Sequence, residues 1–210
     1  MRRRLADSGF IGVLAIALAG VLGYLIMPNN LALLTQIIAV TLLVLSIDLV
    51  TGYCGVATLG HAALFGAGAY GAGIAAVHFG ITDPLAMTIV GLAAGAVAGL
   101  VSGFVILRAH GLAQLVLSIA VIHLFHEAAN KASGWTGGSD GLSAIMPDPV
   151  FGMFEFDLWG KTAYAYGLVL LVIVFLLLHV LVRSPFGMLA RGVRQDPVRI
   201  AAMGASSRSV

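Results

Sequence analysis

The sequence predicts an all-α fold, a polytopic transmembrane helical bundle of about six spans, and three observations carry that prediction. Apolar residues make up 60% of the 210 positions and charged residues only 10%, with a mean hydropathy of +1.05. A soluble domain carries about 25% charged residues, so a chain this poor in charge must turn much of its exterior to lipid. Four stretches, near 10–27, 31–50, 84–107 and 162–182, reach the roughly 20 mostly apolar residues that cross a bilayer core. Two more, near 57–77 and 111–128, are rich in Gly and Ala or carry His, a composition suited to helices packed inside a bundle.

The first span follows Arg2-Arg3-Arg4 and has the look of a signal peptide. Its apolar run exceeds the roughly 7–15 residues of a signal core, and no small-residue cleavage site follows at Pro28-Asn29-Asn30, so it is expected to stay as a span. With the N-terminus inside, Arg2, Arg3, Arg4, Arg108, Arg183, Arg191, Arg194, Arg199 and Arg208 fall on the inner side, and only Lys131 and Lys161 fall outside. That positive-inside bias predicts cytoplasmic N- and C-termini. The expected organisation is a transmembrane domain over 1–182, with an outer loop at 129–161, and a cytoplasmic segment over 183–210.

The outer loop contains Gly134-Trp135-Thr136-Gly137-Gly138-Ser139-Asp140-Gly141 and the aromatics Phe151, Phe154, Phe156 and Trp159. Loops this long are uncommon unless functional or disordered. One reading is an interfacial segment with rings at the headgroup level; the other is a docking or gating surface. In the span near 84–107, Gly91, Gly95, Gly99 and Gly103 recur every four residues. Successive members drift by only ~40° around a helix, so they form a smooth stripe for close helix packing.

Several chemistries are excluded. A net charge of +2 without a basic, aromatic-interleaved run gives no sign of nucleic-acid binding. The single Cys54 can make neither an internal disulfide nor a multi-cysteine metal site. His123, His126 and Glu127 lack the spacing and order of a zinc-protease helix, so no metal site is predicted. No serine elbow, paired catalytic carboxylates or Gly-Lys-Ser/Thr nucleotide loop is present, so no catalytic residue is assigned and no enzyme is expected. Energy for transport would come from an ion gradient or from another polypeptide.

Two segments carry candidate function. Gly52-Tyr53-Cys54-Gly55-Val56-Ala57-Thr58-Leu59-Gly60-His61 interrupts the apolar pattern at the inner end of the second span, and its paired glycines are expected to break the helix. Broken backbone at membrane depth survives only where protein or a water-filled cavity satisfies its polar groups, and such breaks line transport pathways. Asp48 and His61 are ionisable groups at this boundary; alternatively, Asp48 snorkels and His61 caps or packs a helix. In the tail, Ser184-Pro185 and Asp196-Pro197 are helix-start signals, the second helix running to Met203 and stopping at Gly204. This cationic segment either anchors to acidic membrane lipid or docks onto a cytoplasmic partner.

Gly52-Tyr53-Cys54-Gly55, Thr58-Leu59-Gly60-His61-Ala62-Ala63 and Phe65-Gly66-Ala67-Gly68-Ala69-Tyr70 resemble the signature of LivM-type branched-chain amino acid ABC transporter permeases. Thr136-Gly137-Gly138-Ser139-Asp140-Gly141-Leu142 is similar to that family's outer-loop motif. Ser184-Pro185-Phe186-Gly187 through Arg191, Arg194, Asp196, Ala201-Ala202 and Gly204 is similar to its ATPase-contacting loop. The resemblance implies a multi-pass permease in the bacterial inner membrane. It would work with a sister permease, two cytoplasmic ATP-binding subunits that hold the ATP, and a periplasmic substrate-binding protein. It also implies substrate-pathway roles for Asp48, Gly52, Tyr53, Gly55, Gly60 and His61, and coupling roles for Gly187, Arg191, Arg194, Asp196, Ala201, Ala202 and Gly204. Asp48 stands where the family often has Asn, and Cys54 where a residue such as Ala is usual. Family members continue with further spans after the coupling loop, so the chain is expected to end early relative to them. The competing expectations are an ion-coupled transporter or channel using Asp48 and His61, a non-transporting remnant, and a permease for urea or short-chain amides.

Overall fold

The computed structural model describes residues 2–56, 58–106, 108–109, 111–143, 145–157 and 159–195, the first nine by backbone alone. The predicted all-helical fold holds. The helices are α1 (Arg2–Ile26), α2 (Leu31–Ile47), α3 (His61–Phe79), α4 (Pro84–Ile106), α5 (Leu112–Lys131), the short α6 (Ser133–Thr136), α7 (Lys161–Arg183) and α8 (Pro185–Gln195). A π-helical turn, Asp48–Tyr53, continues α2, and a 3₁₀ turn, Gly138–Asp140, follows α6. Among the described residues, five helices are long and apolar enough to cross a membrane: α2 with its π-turn, α3, α4, α5 and α7. The remaining expected span, near 10–27, corresponds to α1, whose apolar part is Ile11–Ile26.

The chain folds as two compact units, one from 1–56 with 157–210 and the other from 57–156. In the first, α7 packs on both α1 and α2. Its core is Leu31 and Ile38 of α2 against Tyr164 and Leu171 of α7, flanked by Ile16, Leu34 and Leu168. Apolar attraction between helices is weak in lipid, so close fit and hydrogen bonds decide which faces meet. Here α1 supplies small residues where α7 supplies bulk: a Cβ at Gly12 would lie 2.6 Å from the Phe175 ring, and one at Gly20 would collide with Leu168. The Tyr164 hydroxyl donates to the Gly20 carbonyl at 2.7 Å, fixing the register of the pair.

The second unit is built on the α3–α4 pair. Gly68 and Gly91 face each other so closely that a Cβ on either would sit 3.1 Å from the other's carbonyl oxygen. Gly95 lies over the Leu64 backbone, Gly99 only brushes the Leu64 side chain, and Gly103 meets nothing within 4 Å. The glycine stripe therefore engages α3 along the N-terminal half of α4. Large side chains point away from these seams, with Leu92 69% and Leu100 77% exposed, which is what a lipid-facing surface requires.

The structure refines two local expectations. The helix ends at the expected glycine pair, but at its second member, and Gly52 itself stays within the helical ladder. It lies inside the π-turn, where Cys54 N–H bonds the Leu49 carbonyl at 3.4 Å and Val56 N–H the Val50 carbonyl at 3.2 Å. The Asp48 carboxylate folds over Gly52, where a Cβ would be only 2.7 Å from Oδ1, so the missing side chain admits the carboxylate to the widened turn. The break comes at Gly55, with φ +74°. The expected loop at 129–161 also starts late, because α5 runs on to Lys131, aided by a Glu127–Lys131 pair at 3.4 Å one turn apart.

Two outcomes follow for stability. Gly91→Leu is expected to cost about 1–3 kcal/mol by forcing α3 and α4 apart, whereas Gly103→Leu, with open space above it, is expected to be near neutral; SDS titration in mixed micelles, followed by circular dichroism, measures both. Tyr164→Phe, which loses only the hydroxyl, is expected to cost about 0.5–1.5 kcal/mol in the same assay.

Candidate functional site

Leaving the helix at 54–60 exposes backbone groups that hydrocarbon cannot solvate. The protein supplies their partners. Leu59 N–H donates to the hydroxyl of Ser118 on α5 at 3.1 Å, and Gly60 N–H donates to Thr58 Oγ1 at 3.0 Å. Ser118 is fully buried and its hydroxyl donates a hydrogen bond to the Leu115 carbonyl at 2.7 Å. α3 then starts at His61, whose ring is buried and whose Nδ1 has no hydrogen-bond partner among the described residues. Ser118 drew no attention in the sequence, since a lone serine in an apolar helix looks the same whether it packs or bonds.

In the first unit, the π-turn meets α8. Arg194 donates from its guanidinium to the Gly52 carbonyl, and its stem lies against Gly55, where a Cβ would come within 2.6 Å of Cγ. Arg191 stacks its guanidinium over the Tyr53 ring at 4.7 Å, a cation–π contact. α8 starts at Pro185 as expected, but the Ser184 hydroxyl turns back to the Leu181 carbonyl at 2.6 Å. Gly187 is pressed onto the Val182 backbone at the α7–α8 corner, with no room for a side chain. Thus Gly52, Tyr53, Arg191 and Arg194 converge around a cleft of about 590 Å³, with Gly55 held beneath the Arg194 stem. Asp48 lines a smaller pocket of about 110 Å³ with Tyr53 and His179, and His179 Nε2 is buried without a hydrogen-bond partner among the described residues. His179 thus shares a pocket with a carboxylate.

In the second unit, 136–141 forms a turn over the end of α5. The buried Thr136 hydroxyl contacts the Ala129 and Ala132 carbonyls at 2.5 and 2.9 Å and accepts from Gly138 N–H at 3.3 Å. Gly137, Gly138 and Gly141 all have φ between +61° and +76°, a conformation that glycine adopts at little cost. The adjoining α6 leans on α3, where the Trp135 and His78 rings lie 4.9 Å apart. Gly141 and Asp140 help to close a cavity of about 580 Å³ whose other walls are α3 and α5, including Ala63, Gly66, Tyr70 and Phe125. The cavity wall was legible only in part. Ala62, Gly66 and Tyr70 recur four residues apart and so share one face of α3, but nothing local ties that face to 136–141.

The pathway candidates thus divide: Asp48, Gly52, Tyr53 and Gly55 belong to the first unit, Gly60 and His61 to the second. Asp196, Ala201, Ala202 and Gly204, and the expected helix over 197–203, lie outside the described residues. Among the described residues, no group of three or more His, Cys, Asp or Glu is placed to hold a metal ion. His126 and Glu127 are exposed, the former 3.3 Å from the Asn130 amide nitrogen.

The family described as "Branched-chain amino acid transport system / permease component" matches residues 29–210. The high-affinity branched-chain amino acid transport system permease protein LivM of Escherichia coli (strain K12) is 25% identical over 202 residues, covering 86% of this chain and 47% of that protein. The protein of the same name from Salmonella typhimurium is 22% identical over 204 residues, covering 87% of this chain and 48% of its own length. The chain spans about half the length of the curated relatives it matches. No solved structure matches it. A match over most of the chain, on a fold with five membrane-crossing helices, places this multi-pass membrane protein in the family of permease components of branched-chain amino acid transport systems.

Proposed function

We propose that this chain is a membrane-spanning permease subunit of an ATP-driven importer for branched-chain or related amino acids, set in a bacterial inner membrane. Its partners would be a sister permease, two cytoplasmic ATP-binding subunits that hold and hydrolyse the ATP, and a periplasmic substrate-binding protein. The family match and the LivM relatives support the substrate class. The excess of arginines on one side supports cytoplasmic termini, which puts α8 where an ATP-binding subunit can reach it.

The observation that carries the coupling role is the grip of α8 on the π-turn through Arg194 at Gly52 and Arg191 at Tyr53. A push or pull on α8 cannot leave that turn where it is without breaking both contacts. The turn is also a place where helical hydrogen bonding is already altered, a feature that concentrates at functional sites. Movement of the ATP-binding subunits would thus reach Gly52, Tyr53 and Gly55 through side chains of this chain. The 136–141 turn would face the periplasm and the binding protein that delivers the substrate.

Uptake of radiolabelled leucine by inverted-polarity-controlled membrane vesicles carrying the assembled transporter tests the proposal. Uptake is expected to persist with a protonophore at constant ATP and to stop when ATP is withdrawn; collapse under the protonophore would instead establish an ion-coupled carrier. Acetamide and urea serve as competitors that should leave leucine uptake unchanged. Arg194→Ala is expected to slow uptake by about 5-fold or more at normal abundance in the membrane, and an unchanged rate would remove the coupling role from α8.

A further inference from the structure

We propose that the cleft between α8 and the π-turn is an anion site, and that its occupant is the phosphate of an acidic phospholipid in the inner leaflet. This rests on the cytoplasmic placement of α8 proposed above, and on neither the substrate nor the energy source of the importer. The cleft measures about 590 Å³ and is lined by Gly52 and Tyr53 of the π-turn and by Arg191, Arg194 and Gln195 of α8. The three α8 residues stand three and four positions apart from Arg191, so they share one face of the helix. Among the described residues, neither guanidinium has an acidic partner. Asp48 is folded over Gly52 and lines the neighbouring pocket instead.

The donors in this cleft outnumber their acceptors. A guanidinium has five N–H donors in a planar fork. Arg194 spends one on the Gly52 carbonyl, and Arg191 makes its described contact with the face of the Tyr53 ring, not with a hydrogen-bond acceptor. A phosphate carries enough acceptor oxygens to take both forks and the Gln195 amide as well. The source of that phosphate follows from what lies beside the charge. Met188, 63% exposed, sits one turn before Arg191 on the same face and sets apolar surface next to the cleft. An acyl chain uses that surface, whereas inorganic phosphate does not. Basic pockets at the cytoplasmic ends of membrane helices bind acidic headgroups on these terms. Held there, the lipid joins the two arginines that grip the π-turn and makes the grip depend on membrane composition.

Native mass spectrometry of the full chain, purified in detergent, tests the site without a transport measurement. Phosphatidylglycerol and phosphatidylcholine with identical acyl chains are titrated separately against wild type, Gln195→Glu and Arg191→Gln. Phosphatidylglycerol is expected to form its first adduct at least about 5-fold more tightly than phosphatidylcholine. Gln195→Glu sets a negative charge in the cleft while leaving both arginine contacts with the π-turn in place, and is expected to weaken that adduct by about 5-fold. Arg191→Gln is expected to weaken it by a similar factor. Equal binding of the two lipids, or wild-type affinity for phosphatidylglycerol in Gln195→Glu, would overturn the site. Displacement of phosphatidylglycerol by an equal concentration of inorganic phosphate would assign the cleft to a soluble anion and overturn the lipid as occupant. Absence of ATP-dependent leucine uptake, with phosphatidylglycerol still selectively bound, would overturn the importer role and leave this site standing.

Discussion

Hydrocarbon offers no hydrogen bonds, so each amide and carbonyl that leaves the helical ladder must find a partner within the protein. The consequences of that requirement run from 48 to 61. The π-turn keeps the backbone paired through Gly52 by re-aiming bonds from the fourth to the fifth and sixth preceding residues. Where pairing within the segment fails, Thr58 and the buried Ser118 receive the bare amides, and Arg194 reaches the Gly52 carbonyl. A serine, a threonine and an arginine are placed where the ladder is interrupted.

Glycine does two different jobs in the same chain. At Gly12 and Gly20 it makes room for the Phe175 and Leu168 side chains, and at Gly68 and Gly91 it lets two helices meet nearly backbone to backbone, close fits that replace the hydrophobic attraction lipid does not provide. At Gly55, Gly137, Gly138 and Gly141 it permits positive φ, shaping the turns that bound the clamp and the cavity. The first kind sets which helices pair; the second sets what their ends present.

The membrane class, the number of long helices and the family were legible because they rest on composition, run length and local motifs. Local exits from helical geometry were less so. Two nearby glycines marked the break, but not which of them makes it: the chain continues through Gly52, where Asp48 occupies the room that glycine leaves, and turns at Gly55. Ser118, His179 and the α3 face of the cavity escaped notice for a shared reason. Each acquires its role from a segment distant in sequence, whether the amide of Leu59, the pocket of Asp48 or the turn at 136–141. The arginines of the tail were visible as a cationic run, while their targets, one carbonyl and one ring, depended on how α8 folds back after Gly187.

The π-turn has one more property. A turn closed by longer bonds holds more residues than the α ladder, in which each residue advances about 100° around the axis. Residues beyond Asp48–Tyr53 are therefore out of phase with the face that α2 presents before it. The turn is an angular offset written into the helix: side chains leave it pointing in directions that a continuous helix from Leu31 would not allow. Relaxing it to ordinary helix would require the emerging chain to rotate, so small changes in bonding along α2 become changes in azimuth at Cys54 and Gly55.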